Sequence, residues 1–105
     1  MKVLMACAGG MSSSFVADAL KTEASNRGIT DFEIIAVGDA RIKEELGKNY
    51  WQIVILAPQV RFQSDRIKQL CDPLGIPVYN IENTSYTPMG APKILDGIIE
   101  ALNHA

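Results

Sequence analysis

Four short apolar runs, Val3–Ala6, Phe32–Val37, Ile53–Leu56 and Ile76–Ile81, alternate along the chain with four segments in which apolar residues recur at helical spacing. Each run is apolar on successive positions rather than on every second one, the pattern of a strand covered on both faces. Strands separated by helices need crossover connections, and such crossovers are right-handed and leave the strands parallel. The order β-α-β-α-β-α-β-α therefore predicts an α/β fold with one four-stranded parallel sheet, strand order 2-1-3-4, and helices on both faces.

The helical segments carry their own start and stop signals. The first opens at Ser12–Ser14, where hydroxyls suit a helix cap, continues through Phe15, Val16, Ala19 and Leu20 on its apolar face, and stops at Gly28. The second starts at Asp39, shows Ile42 and Leu46, and ends at Gly47. In the third, Val60, Ile67, Leu70, Cys71 and Leu74 share a face, and Gly75 with Pro77 closes it. The fourth has Pro92 in its first turn, followed by Ile94, Leu95, Ile98, Ile99 and Leu102. No repeat or linker interrupts the pattern, so residues 1–105 read as one domain of flavodoxin-like shape.

The bulk numbers narrow the function. Net charge is −2, and the ten basic residues form no run or stripe, which disfavours a nucleic-acid binder. The apolar run near the N-terminus, Val3–Cys7, is shorter than a signal-peptide core, and nothing approaches the length needed to span a bilayer. Two cysteines, Cys7 and Cys71, are too few for a disulfide framework. The expectation is a cytoplasmic protein without direct membrane insertion. No Cys/His/Asp spacing suits zinc, and neither a metal nor a cofactor is expected.

In an open parallel sheet, ligands sit beyond the carboxyl ends of the strands, where the strand order reverses. For the order 2-1-3-4 that point lies between the first and third strands. The loops concerned are Cys7–Ser14 and Ala57–Arg61, with Asn83–Gly90 as a possible third. The first contains Cys7-Ala8-Gly9-Gly10-Met11-Ser12-Ser13-Ser14, in which a cysteine ends a buried strand, two glycines allow a tight turn, and hydroxyls lead into a helix. Backbone N–H groups around such a turn form an anion nest, to which the helix N-terminus adds unpaired donors. A thiol in that setting suits a nucleophile. The bland alternative is a small buried hydrophobe followed by a plain turn; position at the switch point favours the phosphate cradle.

A low-molecular-weight tyrosine phosphatase has a similar sheet and a Cys-led loop, but with the spacing C-x5-R, whose arginine clamps the phosphate. Here that position is Ser13, and the late stretch Asn80–Tyr86 contains no aspartate to act as general acid. The alternative of a small phosphatase or an arsenate reductase-like thiol enzyme is correspondingly weakened. A third reading, a non-catalytic binding module, lacks its usual marks. Cys7 and Ala57 occupy the strand ends where a receiver domain places acidic residues, and no G-x-G-x-x-G follows the first strand.

The string Cys7-x-x-Gly10-Met11-Ser12-Ser13-Ser14 resembles the C-x-x-G-M-S-[ST]-S loop of the lactose/cellobiose family of phosphotransferase-system (PTS) enzyme IIB proteins. Leu56-Ala57-Pro58-Gln59-Val60 resembles that family's L-G-P-Q-[IV], and Ile76-Pro77-Val78 and the overall length also match. Ala57 for glycine, Phe15 for an aliphatic residue, and a loosely similar stretch Tyr86–Gly90 are the departures. The resemblance implies a phosphocarrier in sugar uptake. Cys7 would accept a phosphoryl group from a phosphohistidine of enzyme IIA and pass it to a sugar, a β-linked disaccharide of cellobiose or lactose type, held by membrane enzyme IIC. It implies that Ala8, Gly9, Gly10, Met11, Ser12, Ser13 and Ser14 supply the phosphate-binding loop. Pro58 and Gln59 would border the docking face, and Arg61 would either help enzyme IIA dock or be a plain surface arginine.

Among the remaining residues, Cys71 is expected to be an inert core thiol and His104 a solvated tail residue. Lys43-Glu44-Glu45 reads as the wet face of the second helix, Arg66 as a charge near the third, Met5 as core, and Met11 as an apolar loop contact.

Overall fold

The computed structural model describes residues 1–8 and 11–104, the side chains of Met11 and Ser12 aside. Strands β1 (Lys2–Cys7), β2 (Glu33–Gly38), β3 (Ile53–Leu56) and β4 (Val78–Asn80) form a parallel sheet in the order β2-β1-β3-β4, as the crossover argument requires. Helices α1 (Met11–Asn26), α2 (Ile42–Leu46), α3 (Ser64–Cys71) and α4 (Ala91–Asn103) connect and follow them. Tight 3₁₀ turns at Asp39–Arg41 and Pro58–Gln63 lead into α2 and α3.

Side chains alternate across a strand, and here the alternation divides two cores. Val3, Met5, Ile53 and Ile55 pack with Val16, Leu20, Ile94 and Ile98 under α1 and α4. Leu4, Ala6, Val54 and Leu56 pack with Ile42, Leu46, Ile67 and Cys71 under α2 and α3. Burial of the thirteen-residue α4 along Ile94, Leu95 and Ile98 matches the spacing read from the sequence.

The expectation that every strand is covered on both faces holds only for the centre. All of β3, and β1 from Val3 to Cys7, is buried. In β2 only Ile34 is buried, and every residue of β4 is half-buried. Edge strands have a neighbour on one side only, so an equally apolar sequence acquires less cover there. β4 is also shorter than Ile76–Ile81, because Pro77 lacks the N–H that a ladder needs; its carbonyl still accepts from Val54 N–H at 3.1 Å.

Two stop signals work through left-handed glycines. Gly28 (φ +78°) closes α1 with Gly28 N–H on Ser25 O at 3.0 Å and Ile29 N–H on Ala24 O at 2.9 Å. Gly75 (φ +69°) does the same after α3, with Ile76 N–H on Cys71 O at 3.2 Å. Gly47 does not act this way: it keeps right-handed geometry, and Asn49 (φ 53°) makes the turn. Leu74 is 47% exposed, because α3 ends at Cys71 and the following 3₁₀ turn carries residue 74 off the apolar face.

Glu45 also departs from the expected wet face. It is buried, its carboxylate taking Lys48 Nζ at 2.8 Å and Trp51 Nε1 at 3.2 Å. It lies three residues after buried Ile42, hence on the inner side of a one-turn helix. The Lys48 ammonium holds its carboxyl below the usual range. Lys43 and Glu44 are exposed as expected.

Across the other face, Arg27 ties α1 to α4, with Nε on Glu23 and Nη1 on Asp96, both at 2.7 Å, and Nη2 on Pro92 O at 3.0 Å.

Candidate functional site

The chain leaves β1 and β3 side by side. Ala6 pairs with Leu56 in the register of the two strands, and Ala57 N–H donates to Ala6 O at 2.9 Å. Cys7 and Pro58, which begin the two switch-point loops, are therefore brought to the same edge. Met5, two residues before Cys7, is fully buried as expected.

Cys7 is 5% exposed and ends β1 opposite Gly38 of β2. Alternation alone would put its side chain with Val3 and Met5. It packs instead with the Leu4 and Ala6 cluster, and Ala57, the first residue after β3, does likewise. The thiol donates to the carbonyl oxygen of Val37 at 3.3 Å. The partner shown for the sulfur is thus a carbonyl of the neighbouring strand, while part of the loop expected to supply main-chain amides lies outside the described residues.

Of the expected phosphate-binding residues, Ala8 is exposed, Ser13 is buried and Ser14 is exposed, the last two within the first turn of α1. Gly9, Gly10 and the side chains of Met11 and Ser12 lie outside the described residues. Met11 starts α1, so the helix N-terminus follows the Cys7 loop as anticipated.

Pro58 is half-buried and Gln59 exposed at the start of the 3₁₀ turn, while Val60 between them and Arg61 is buried. Arg61 is exposed, and its Nη2 donates to Ile81 O at 3.4 Å, joining the loop after β3 to the end of β4. Arg66 joins the loop after β3 to the one after β2, with Nε on Gln63 Oε1 at 2.8 Å and Nη2 on Asp39 O at 3.2 Å. At the end of β4, Asn80 Nδ2 donates to Ser64 Oγ at 3.1 Å.

Among the described residues, three large apolar side chains stand exposed on elements that leave this edge of the sheet: Phe15 in α1 (54%), Phe62 after β3 (77%) and Met89 after β4 (92%). Phe15 was expected on the apolar face of its helix. The face that α1 buries runs through Val16, Ala17, Leu20 and Ala24, and Phe15 lies beyond its margin. Phe62 and Met89 escape a periodicity reading because they sit in turns. Met89 falls within the stretch Asn83–Gly90 already assigned to the switch point, and Phe62 lies one residue beyond Ala57–Arg61.

The other singled-out residues lie apart from this edge. Cys71 is wholly buried in the α2/α3 cluster, where burial and then the charge of Asp72 push its thiol up to about 11. His104 is exposed beyond α4. Among the described residues, no group of three or more His, Cys, Asp or Glu is placed to hold a metal ion, and no helix is long and apolar enough to cross a membrane.

Comparison with known proteins gives one consistent answer. The family model described as PTS system, lactose/cellobiose specific IIB subunit, matches residues 2–97. The chain is 29% identical over 104 residues to the PTS system cellobiose-specific EIIB component of Lactococcus lactis, covering 96% of this chain and 95% of that protein. It is 37% identical over 87 residues to the PTS system lactose-specific EIICB component of Staphylococcus epidermidis, covering 80% of this chain and 14% of that longer protein. The solution structure of the cellobiose-specific phosphotransferase IIB component from Borrelia burgdorferi superposes with a TM-score of 0.77 at 32% identity, covering 99% of this chain and 93% of that one.

Proposed function

The chain belongs to the lactose/cellobiose-specific IIB family of the phosphotransferase system, and from that membership we propose that Cys7 is the residue that carries the phosphoryl group. IIB components are phosphotransferase components of sugar transport, and they work with IIC components, a pairing written into the EIICB name of the Staphylococcus relative. The observation that carries the assignment to Cys7 is its position: the carboxyl end of β1, beside the Pro58 turn, at the point where the strand order reverses.

The chemistry balances with the thiol as found. Cys7 Sγ attacks the phosphorus of a phosphohistidine on enzyme IIA; the S–P bond forms, the N–P bond breaks, and the thiol proton ends on the released imidazole. In the second transfer a hydroxyl of the sugar held by IIC attacks the phosphocysteine. The S–P bond breaks, and the hydroxyl proton returns to sulfur. Little covalent work falls to the protein, so its contribution is positioning and electrostatics. The loop from Ala8 to Ser14 is assigned to the phosphoryl group, its amides receiving the phosphoryl oxygens.

Docking of enzyme IIA is assigned to the surrounding rim. Pro58, Gln59 and Arg61 border it on one side, and the exposed side chains of Phe15, Phe62 and Met89 give it apolar contacts. The sugar is proposed to be a β-linked disaccharide of the cellobiose or lactose type.

Incubation with a phosphorylated lactose/cellobiose-type enzyme IIA tests the reading, with the modified residue mapped by mass spectrometry. One phosphoryl group on residue 7, absent from Cys7→Ser, is the expected result. Label on another residue would overturn it.

A further inference from the structure

We propose that Arg66 is a positioning residue for phosphoryl transfer at Cys7, tying the corner after β2 to the loop after β3 and so fixing the Val37 carbonyl against which the thiol rests. The inference builds on the carrier reading above and adds to it a residue that touches neither Cys7 nor the phosphoryl group.

The sheet order makes the tether significant. β1 lies between β2 and β3, so the corners that follow β2 and β3 stand on either side of the strand that ends in Cys7. The side chain of Arg66 reaches from α3 to both of these corners. Its Nε donates to Gln63 Oε1 (2.8 Å), on the last residue of the turn after β3. Its Nη2 donates to the carbonyl of Asp39 (3.2 Å), with the Asp39 carboxylate 3.8 Å away. Asp39 is two residues beyond Val37, and Val37 O accepts the Cys7 thiol at 3.3 Å.

The ladder holds the strand as far as the Cys7–Gly38 pair, and the Asp39 carbonyl also accepts from Ile42 N–H within the turn. Gly38 caps the 3₁₀ turn Asp39–Arg41 without a side chain, and no capping bond is made there. β2 is an edge strand, paired only with β1. An arginine fits the task because its planar guanidinium presents donors in two fixed directions, one for each corner. A lysine has the charge without that fork. Displacement of a nucleophile by about 1 Å is enough to cost a large factor in rate, so a tether remote from the sulfur acts on the reaction through geometry.

The test compares wild type with Arg66→Gln, Arg66→Lys and Gln63→Ala in single-turnover transfer from phosphorylated enzyme IIA, alongside alkylation of Cys7 by iodoacetamide. For Arg66→Gln the maximal transfer rate is expected to fall about tenfold, with the half-saturating donor concentration within about twofold of wild type and Cys7 alkylation severalfold faster. Arg66→Lys should behave like Arg66→Gln, and Gln63→Ala, which removes one arm, should fall between. Should Arg66→Gln not fold, the other two variants carry the same comparison.

A lysine variant that restores wild-type transfer would overturn the proposal in favour of simple charge attraction, which added salt would then abolish. Transfer unchanged in every variant, with only the melting temperature lowered, would reduce Arg66 to a structural role and overturn it equally. If wild type itself takes no label on Cys7, the carrier reading fails and this proposal falls with it. Labelled wild type with equally fast variants sinks the positioning role alone.

Discussion

The thiol of Cys7 and the carbonyl of Val37 meet at 3.3 Å across the β1–β2 ladder, one residue before the Cys7–Gly38 pair that ends it. The resting sulfur is thus held by the strand beside it. Replacing it separates storage from chemistry. Cys7→Ala is expected to lose labelling by phosphorylated enzyme IIA entirely while lowering unfolding free energy by only about 1 kcal/mol, since a thiol is a weak donor. Urea denaturation alongside the labelling assay checks both halves.

The rim around Cys7 predicts a different signature. Phe62→Ser and Met89→Ser remove side chains that are 77% and 92% exposed. Each is expected to leave stability within about 0.5 kcal/mol of wild type and to raise the half-saturating concentration of enzyme IIA about fivefold, the effect of losing an apolar contact at an interface. An unchanged dependence on donor concentration in both variants would remove these residues from the docking face.

Gly90 sits where the loop after β4 folds back on itself. A Cβ there would lie 2.0 Å from Ser85 O and 2.8 Å from Ser85 C. Its φ of −85° is one any residue adopts, so the whole effect of substitution is steric. Backbone rather than a flexible side chain must yield, and Ser85 O already accepts from Thr87 N–H at 2.8 Å. Gly90→Ala should destabilise by about 1–3 kcal/mol, read as a fall in melting temperature.

Cys71 gives the protein a stability limit at alkaline pH. Burial, with a smaller contribution from Asp72, raises its thiol from 9.0 to about 11. As pH rises the unfolded chain loses this proton first, so the stabilisation is complete below pH 9 and is lost as pH climbs toward 11. Between about pH 8 and pH 10.5, wild type should lose about 1–2 kcal/mol more than Cys71→Val, whose side chain does not titrate. Parallel denaturation curves for the two proteins across that range would contradict the assignment.

Much of this molecule was legible along the chain because the signals are short-range. Continuous apolar runs between helical periods determined a parallel sheet in the order 2-1-3-4, and Gly28 and Gly75 terminate α1 and α3 through turns that need only neighbouring residues. The same order placed Cys7 and Pro58 at one edge. Tertiary packing decided the rest. Equally apolar runs became covered strands at β1 and β3 and thinly covered ones at β2 and β4, since cover depends on how many neighbours a strand has. Glu45 went inward and Phe15 outward because each stands beside, not within, a clean periodic stripe. Val37 became the partner of Cys7, and Arg66 the link between two corners, because residues 30 and 27 positions apart in sequence meet only when the sheet and α3 have assembled. Periodicity specifies which face a residue prefers; which residue it meets there is specified only by the folded chain.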